Sequence, residues 1–312
     1  MLENLFFCLN ATVPIFMLML LGYFFKVKKI FTPELTKGIN GFVFKVALPV
    51  LVYKELATAD VGELWDGGFV LFCFLATLGS IAIGYLLSML FKDRKLRPEF
   101  IQGSFRSSAA LLGAGIAINL YGNAGMIPIM IIGAVPLYNI AAVVMLTVGQ
   151  GEGKITKELI KKTLWGVIKN PIIIGIILGM IRSMIPIGIL LPKTLSYVSG
   201  LATPLGLMAL GASFEFEKMR SKITPTVLAT FFKLIGHTLI WGMIAISLGY
   251  THDKLIAVLI MTGSPTTVSS FVMAKQMGYD GTVSAGIVML TTVLSAFTLT
   301  LWLYILKSNS LI

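Results

Sequence analysis

The sequence predicts an all-α, polytopic membrane protein of ten transmembrane helices, and three observations lead there. Hydrophobic residues make up 56% of the 312-residue chain and charged residues 12%, whereas soluble domains are about half apolar and about a quarter charged. Mean hydropathy is +0.90, more apolar surface than a water-soluble core can hide. Apolar runs of the ~20 residues that cross ~30 Å of hydrocarbon recur along nearly the whole chain. Lysine and arginine, finally, alternate in density between successive gaps.

Windows bounded by charged residues or by Gly, Pro, Asn and Asp place spans near 5–25, 37–56, 67–91, 99–121, 125–148, 166–184, 195–214, 224–249, 254–276 and 282–306, numbered here one to ten. Span one is not a signal peptide, because its basic cluster (Lys26, Lys28, Lys29) follows the apolar run instead of preceding it. The gaps after the odd-numbered spans hold 17 of the 25 Lys and Arg, the opposite side holds five, and three lie inside apolar segments. Short basic loops resist translocation, so the odd-numbered gaps are expected in the cytoplasm and both termini outside it. The net charge of +11 therefore reports topology and not nucleic-acid binding. Cys8 and Cys73 both fall in apolar segments and make neither a disulfide framework nor a zinc site.

The stretch 149–165 is the longest hydrophilic gap and is expected to be a cytoplasmic linker between two five-helix repeats, 1–148 and 166–312. An odd number of spans per half forces opposite orientations, the arithmetic of an inverted repeat, whose substrate site lies at the midplane. A weak internal echo agrees: Ala117-Ile-Asn-Leu-Tyr-Gly-Asn123 precedes span five and Ala274-Lys-Gln-Met-Gly-Tyr-Asp280 precedes span ten.

Irregular backbone at membrane depth belongs where protein or a wet cavity surrounds it. Two polar windows fit, at matching places in the halves: Gly103-Ser-Phe-Arg-Ser-Ser108 in span four and Thr262-Gly-Ser-Pro-Thr-Thr267 in span nine. Pro265 removes an N–H and clashes one turn back, while Ser264, Thr266 and Thr267 can bond freed groups or face a ligand. A broken helix exposes N–H groups and a positive dipole end, which suits a carboxylate; the competing reading is a tolerated kink with hydroxyl back-bonding. Pro49 in span two and Pro204 in span seven are expected to break their helices similarly. Asn139, after Pro136 in span five, carries an amide that must find partners on a neighbouring helix or a substrate.

No Asp or Glu is expected in the membrane interior, which disfavours a cation carrier. Lys45, Arg106, Lys233 and His237 remain at depth. Lys45, Arg106 and Lys233 each fall ~7–9 residues from a cytoplasmic helix start, ~10–14 Å at 1.5 Å per residue, so snorkelling is the leading reading for Lys45 and Lys233. Arg106 adjoins Ser107 and Ser108 and is expected to contact an anion or a carbonyl lining the site. His237, one turn after Lys233, is either a neutral packing residue or a proton-coupling group. Gly175-Ile-Ile-Leu-Gly179 is a small-residue face for packing within the chain or between copies. Phosphate loops, His-Glu-x-x-His and Gly-x-Ser-x-Gly are absent from the sequence, so neither an enzyme nor a cofactor or metal site is expected.

The runs Ala47-Leu-Pro-Val-Leu51, Phe105-Arg-Ser-Ser108 with Leu120-Tyr-Gly122, Val135-Pro-Leu-Tyr-Asn139, Ser264-Pro-Thr-Thr267 with Phe271-Val-Met-Ala274, and Met277-Gly-Tyr-Asp280 resemble the auxin efflux carrier family over essentially the whole chain. That family includes plant auxin carriers and bacterial malate or malonate permeases. The resemblance implies a five-plus-five inverted repeat similar to the bile-acid sodium symporter fold. Spans one, two, six and seven would form a scaffold that also dimerises, and spans three to five and eight to ten a transport domain moving as an elevator. Broken helices four and nine would cross and hold the substrate carboxylate. Pro265 matches the crossover proline of helix nine. Ser107 and Ser108 stand where plant members carry Pro-Asn, and Gly115 where a second proline is usual, so helix four would unwind through Ser107, Ser108, Gly113 and Gly115, and auxin itself fits poorly. The short central gap resembles bacterial members, which implies a bacterial inner membrane.

The expected function is secondary transport of a small mono- or dicarboxylate through a site of Arg106, Ser107, Ser108, Asn139, Ser264, Pro265, Thr266 and Thr267. Uniport on membrane potential is favoured, with proton coupling through His237 as the alternative. The expected partners are the bilayer, the anion and a second copy of the chain. A ligand sensor without flux, and more remotely an intramembrane hydrolase, are the rivals.

Overall fold

In hydrocarbon a backbone can satisfy its N–H and C=O groups within a single segment only as helix, and helix is what these apolar runs form. The computed structural model describes residues 2–57, 65–108, 117, 125–150, 157–184 and 193–312, and among them there is no strand. Gly113 and Gly115 lie outside the described residues.

The first half contains α1 (Leu2–Val27), α2 (Pro33–Phe42) continuing through a π turn (Val43–Ala47) into α3 (Leu48–Ala57), α4 (Gly67–Ser88), α5 (Arg97–Phe105) and α6 (Ile127–Val148). The second contains α7 (Lys157–Ile168), α8 (Pro171–Met184), α9 (Lys193–Gly200), α10 (Ala202–Ser213), the short α11 (Phe216–Ser221) and α12 (Ile223–Phe231). A second π turn (Phe232–Gly236) leads from α12 into α13 (His237–Ser247), followed by α14 (His252–Gly263), α15 (Ser269–Gln276) and α16 (Thr282–Ser308). Among the described residues, six helical stretches are long and apolar enough to cross a membrane: Pro33–Ala57, Gly67–Ser88, Ile127–Val148, Lys193–Ser213, Ile223–Ser247 and Thr282–Ser308. Val13–Val27 and Pro171–Ser183 are shorter apolar helices. Spans four and nine fall short of that length because α5 and α14 end early. Leu71, Leu86, Met243 and Phe297 are each more than half exposed, an apolar exterior that suits lipid and not water. The chain is a multi-pass membrane protein.

Three boundaries differ from the expectation. Pro49 does not break its helix: the π turn lies immediately before it, and a wider turn gives the proline ring room against the preceding turn. Pro204 sits in the first turn of α10, where a missing N–H costs little, and the interruption precedes it at Leu201. The hydrophilic stretch 149–165 is not wholly a linker, since α7 occupies its second part. Asn170 then starts a new helix. Its Oδ1 accepts the Ile172 N–H at 2.9 Å, and Pro171 takes the first helical position, a cap-then-proline start.

α1 lies on α10 and on α16, and α3 on α8. The Gly175/Gly179 face makes the second contact possible: a Cβ at Gly175 would stand 2.5 Å from the Pro49 carbonyl oxygen, and one at Gly179 2.9 Å from that of Tyr53. This small-residue face is therefore spent inside the chain. α5 is surrounded by α4, α6, α12, α15 and α16. Glu99 and Gln102 tie it to its neighbours. The buried Glu99 carboxylate accepts the Gly281 and Ser284 N–H groups at 3.1 and 2.9 Å, where a negative charge meets the positive end of α16. Gln102 donates to the Ser270 carbonyl at 2.9 Å.

Gly175→Leu overfills the α3–α8 contact, which typically costs about 1–3 kcal/mol; the variant should melt several degrees below wild type in detergent, whereas Gly38→Ala, whose added methyl would enter open space, should not.

Candidate functional site

Pro265 sets the end of α14 at Gly263. A residue before proline is pushed out of the α region, and Ser264 is extended at φ −75°, ψ 159°. Helix resumes only with α15 at Ser269. In the first half α5 ends at Phe105, and Arg106 is likewise extended at φ −68°, ψ 144°. No proline forces this second break. It is held instead by its counterpart, the Ser108 N–H donating to the Pro265 carbonyl at 2.9 Å.

Two helix ends inside a membrane leave carbonyls without partners, and each broken segment supplies hydroxyls to the other. The Ser107 hydroxyl donates to the Ile260 carbonyl at 2.9 Å and shares a short hydrogen bond with the Ser264 hydroxyl. The Thr266 hydroxyl donates to the Gly103 carbonyl at 2.7 Å, while the Thr266 N–H bonds Thr291 Oγ1 at 3.1 Å. Tyr138 on α6 donates to the Met261 carbonyl at 3.2 Å, and Lys233 Nζ reaches the Thr262 carbonyl at 2.6 Å. Lys233 does not snorkel: it is fully buried, because its π turn faces α14 and not lipid. Lys45, by contrast, is exposed.

Arg106 is 2% exposed and meets only neutral acceptors. Its guanidinium donates to Asn139 Oδ1 at 3.0 Å, to Ser269 Oγ at 2.5 Å and to the Met273 sulfur at 2.9 Å, and Nε has no partner among the described residues. Asn139 is fixed by its own donation to the Val135 carbonyl at 3.0 Å. Among the described residues no carboxylate forms an ion pair with Arg106. Buried charges are ordinarily paired; this one faces a cavity.

That cavity, of about 70 Å³, is lined by Arg106, Ser107, Ser108, Asn139, Pro265, Thr266, Thr267 and Ser269 on one side and by Ile15, Leu48, Leu51, Val52, Glu55, Thr203 and Leu207 on the other. Ser108 and Thr267, both half-buried, belong to this lining. Seven of the eight residues expected at the site thus line one cavity. The eighth, Ser264, lies behind it, bonded to Ser107. His237, Pro49 and Pro204 do not line it. His237 is buried beside Phe232, with both ring nitrogens unpartnered among the described residues. Sequence reasoning missed Ser269, which continues the Ser/Thr run, and Glu55, which the window edges placed at a helix end.

A family model described as membrane transport protein matches residues 7–303. The chain belongs to the auxin efflux carrier family. Family members that are similar to it throughout include an "Uncharacterized transporter" of Methanothermobacter thermautotrophicus, 23% identical over 95% of this chain and 98% of the relative. A Rhizobium meliloti protein named "Putative malonate transporter" is 22% identical over 97% of each chain. An uncharacterized transporter of Methanocaldococcus jannaschii is 24% identical over 96% of this chain and 98% of its own.

Thr266→Val keeps the shape of the crossover but strands the Gly103 carbonyl; an unsatisfied buried polar group costs about 1–3 kcal/mol, so the variant should lose several degrees of melting temperature without change in helical content by circular dichroism.

Proposed function

We propose that this protein is a secondary carrier of a small carboxylate, which binds in the cavity at the meeting of the two broken segments. The observation that carries the reading is the Arg106 guanidinium, buried against neutral acceptors and lining that cavity. Such a charge lacks only an anion, and a planar fork of donors matches a carboxylate. Ser108 and Thr267 add hydroxyl donors, and Asn139 holds the guanidinium in place. A cavity of about 70 Å³ has room for on the order of five waters at ~10–15 Å³ each, which suits an acid of a few heavy atoms. The name of the Rhizobium relative makes malonate the first acid to try.

In this reading the ten spans form a five-plus-five inverted repeat of the bile-acid symporter type. α1, α2–α3, α8 and α9–α10 are the scaffold, and the helices around α5 and α14 are the moving element. Support comes from the cavity walls: one wall is drawn from α1, α3 and α10, the other from the crossover and α6. Sliding one wall past the other would carry the site across the membrane. The lysine and arginine asymmetry supports termini outside the cytoplasm. A homodimer through the scaffold belongs to the same proposal.

Uptake of radiolabelled malonate and of short monocarboxylates into proteoliposomes tests the reading. Arg106→Gln should lower uptake by more than about tenfold, since truncating a buried charged partner costs about 2–5 kcal/mol; unchanged kinetics would remove Arg106 from the mechanism. Glu55 stands on the opposite wall of the same cavity, and like charges repel, so Glu55→Gln should lower KM for malonate more than for a monocarboxylate. Saturable binding of these acids with no flux would identify a sensor instead.

A further inference from the structure

A second buried basic side chain stands behind the crossover and does not line the cavity. Lys233 is 0% exposed, on a π turn between α12 and α13. Its Nζ donates to the Thr262 carbonyl at 2.6 Å and approaches the Met261 carbonyl at 3.4 Å. Among the described residues no carboxylate forms an ion pair with it. These carbonyls end α14, one residue before the extended segment whose Pro265 carbonyl holds Ser108.

The chemistry of that position is specific. Carbonyls at the C-terminal end of a broken helix carry the negative pole of the helix dipole, and in membrane carriers such ends coordinate coupling cations such as sodium. Here an ammonium on a four-carbon stem reaches the same kind of oxygen atoms. Burying it costs several kcal/mol, and a neutral donor could have capped one carbonyl for less, as Tyr138 does at Met261. Lys233 lies in the π turn, which packs against α14.

We propose that Lys233 is a tethered counter-cation: it supplies at the helix break the positive charge that a cation-coupled carrier would take from solution, so the site is shaped for its anion without bound sodium. Lys233 acts through the break as a positioning residue and does not touch substrate. The inference rests on the carrier reading above for its meaning, but its central test does not.

The purified full-length protein is melted in sodium chloride and in choline chloride at equal concentration. Wild type should melt at the same temperature in both. Lys233→Met should melt about 5 °C lower in choline, the scale of a lost buried interaction in a chain of this size, and should regain part of the loss in sodium only, because the vacated carbonyls accept the metal ion. Sodium-specific stabilisation of wild type, or a Lys233→Met protein indifferent to sodium, would overturn the proposal. A second measurement needs no variant: malonate uptake by wild type should be equal in the two salts, and stimulation by sodium of about tenfold or more, equivalent to about 1.4 kcal/mol, would overturn it. Absence of all uptake alongside the expected melting pattern would count against the carrier reading alone and leave Lys233 in its assigned role.

Discussion

Helix ends inside a membrane have nowhere to send their last carbonyls, and the form of this protein's centre is dictated by that constraint. Breaking α14 at Ser264 and α5 at Arg106 strands main-chain oxygen atoms where water cannot be counted on. Each break is repaired from the other: Ser107 bonds Ile260, Thr266 bonds Gly103, and Ser108 bonds Pro265. Neither interruption would be tolerable alone. The two halves of the chain are therefore joined by a small polar knot. Glu99, Gln102 and Tyr138 hold the helices that carry it in register.

Electrostatics at this knot are positive, with neutral partners. Arg106 rests on an amide, a hydroxyl and a thioether, and Lys233 on two main-chain oxygen atoms. Neither forms an ion pair with a carboxylate among the described residues. The single carboxylate on the cavity, Glu55, sits on the opposite wall with the apolar residues of α1, α3 and α10. The cavity surface is thus polar on one side and largely apolar on the other. Membership of a transport family accords with such a division.

Much of this is legible in the residues. Pro265, with Ser and Thr around it, announces a break that polar side chains can repair, and the matching Ser107-Ser108 window announces its partner. Seven of the residues singled out this way line one cavity. What hydropathy cannot supply is the direction in which a side chain points. Distance along the helix from the membrane edge suggests that Lys233 snorkels, yet its turn faces α14, and azimuth decides the matter. Glu55 falls at a window edge and looks interfacial, although α3 continues past it and turns it toward the cavity. Asn170-Pro171 carries a visible helix-start signal that a division led by charge overrides, and Pro49 looks like a break because a π turn leaves no mark in composition. The tertiary contacts that hold α5 open at Arg106 come from the other half of the chain, so no local window contains them.

Binding of a carboxylate where the two broken segments cross is tested by a structure determined with a transported acid bound. Its carboxylate oxygens should lie within hydrogen-bonding distance of the Arg106 guanidinium and of the Ser108 and Thr267 groups. An acid seated elsewhere, with the crossover closed to it and Arg106 still engaged only by Asn139, Ser269 and Met273, would contradict it.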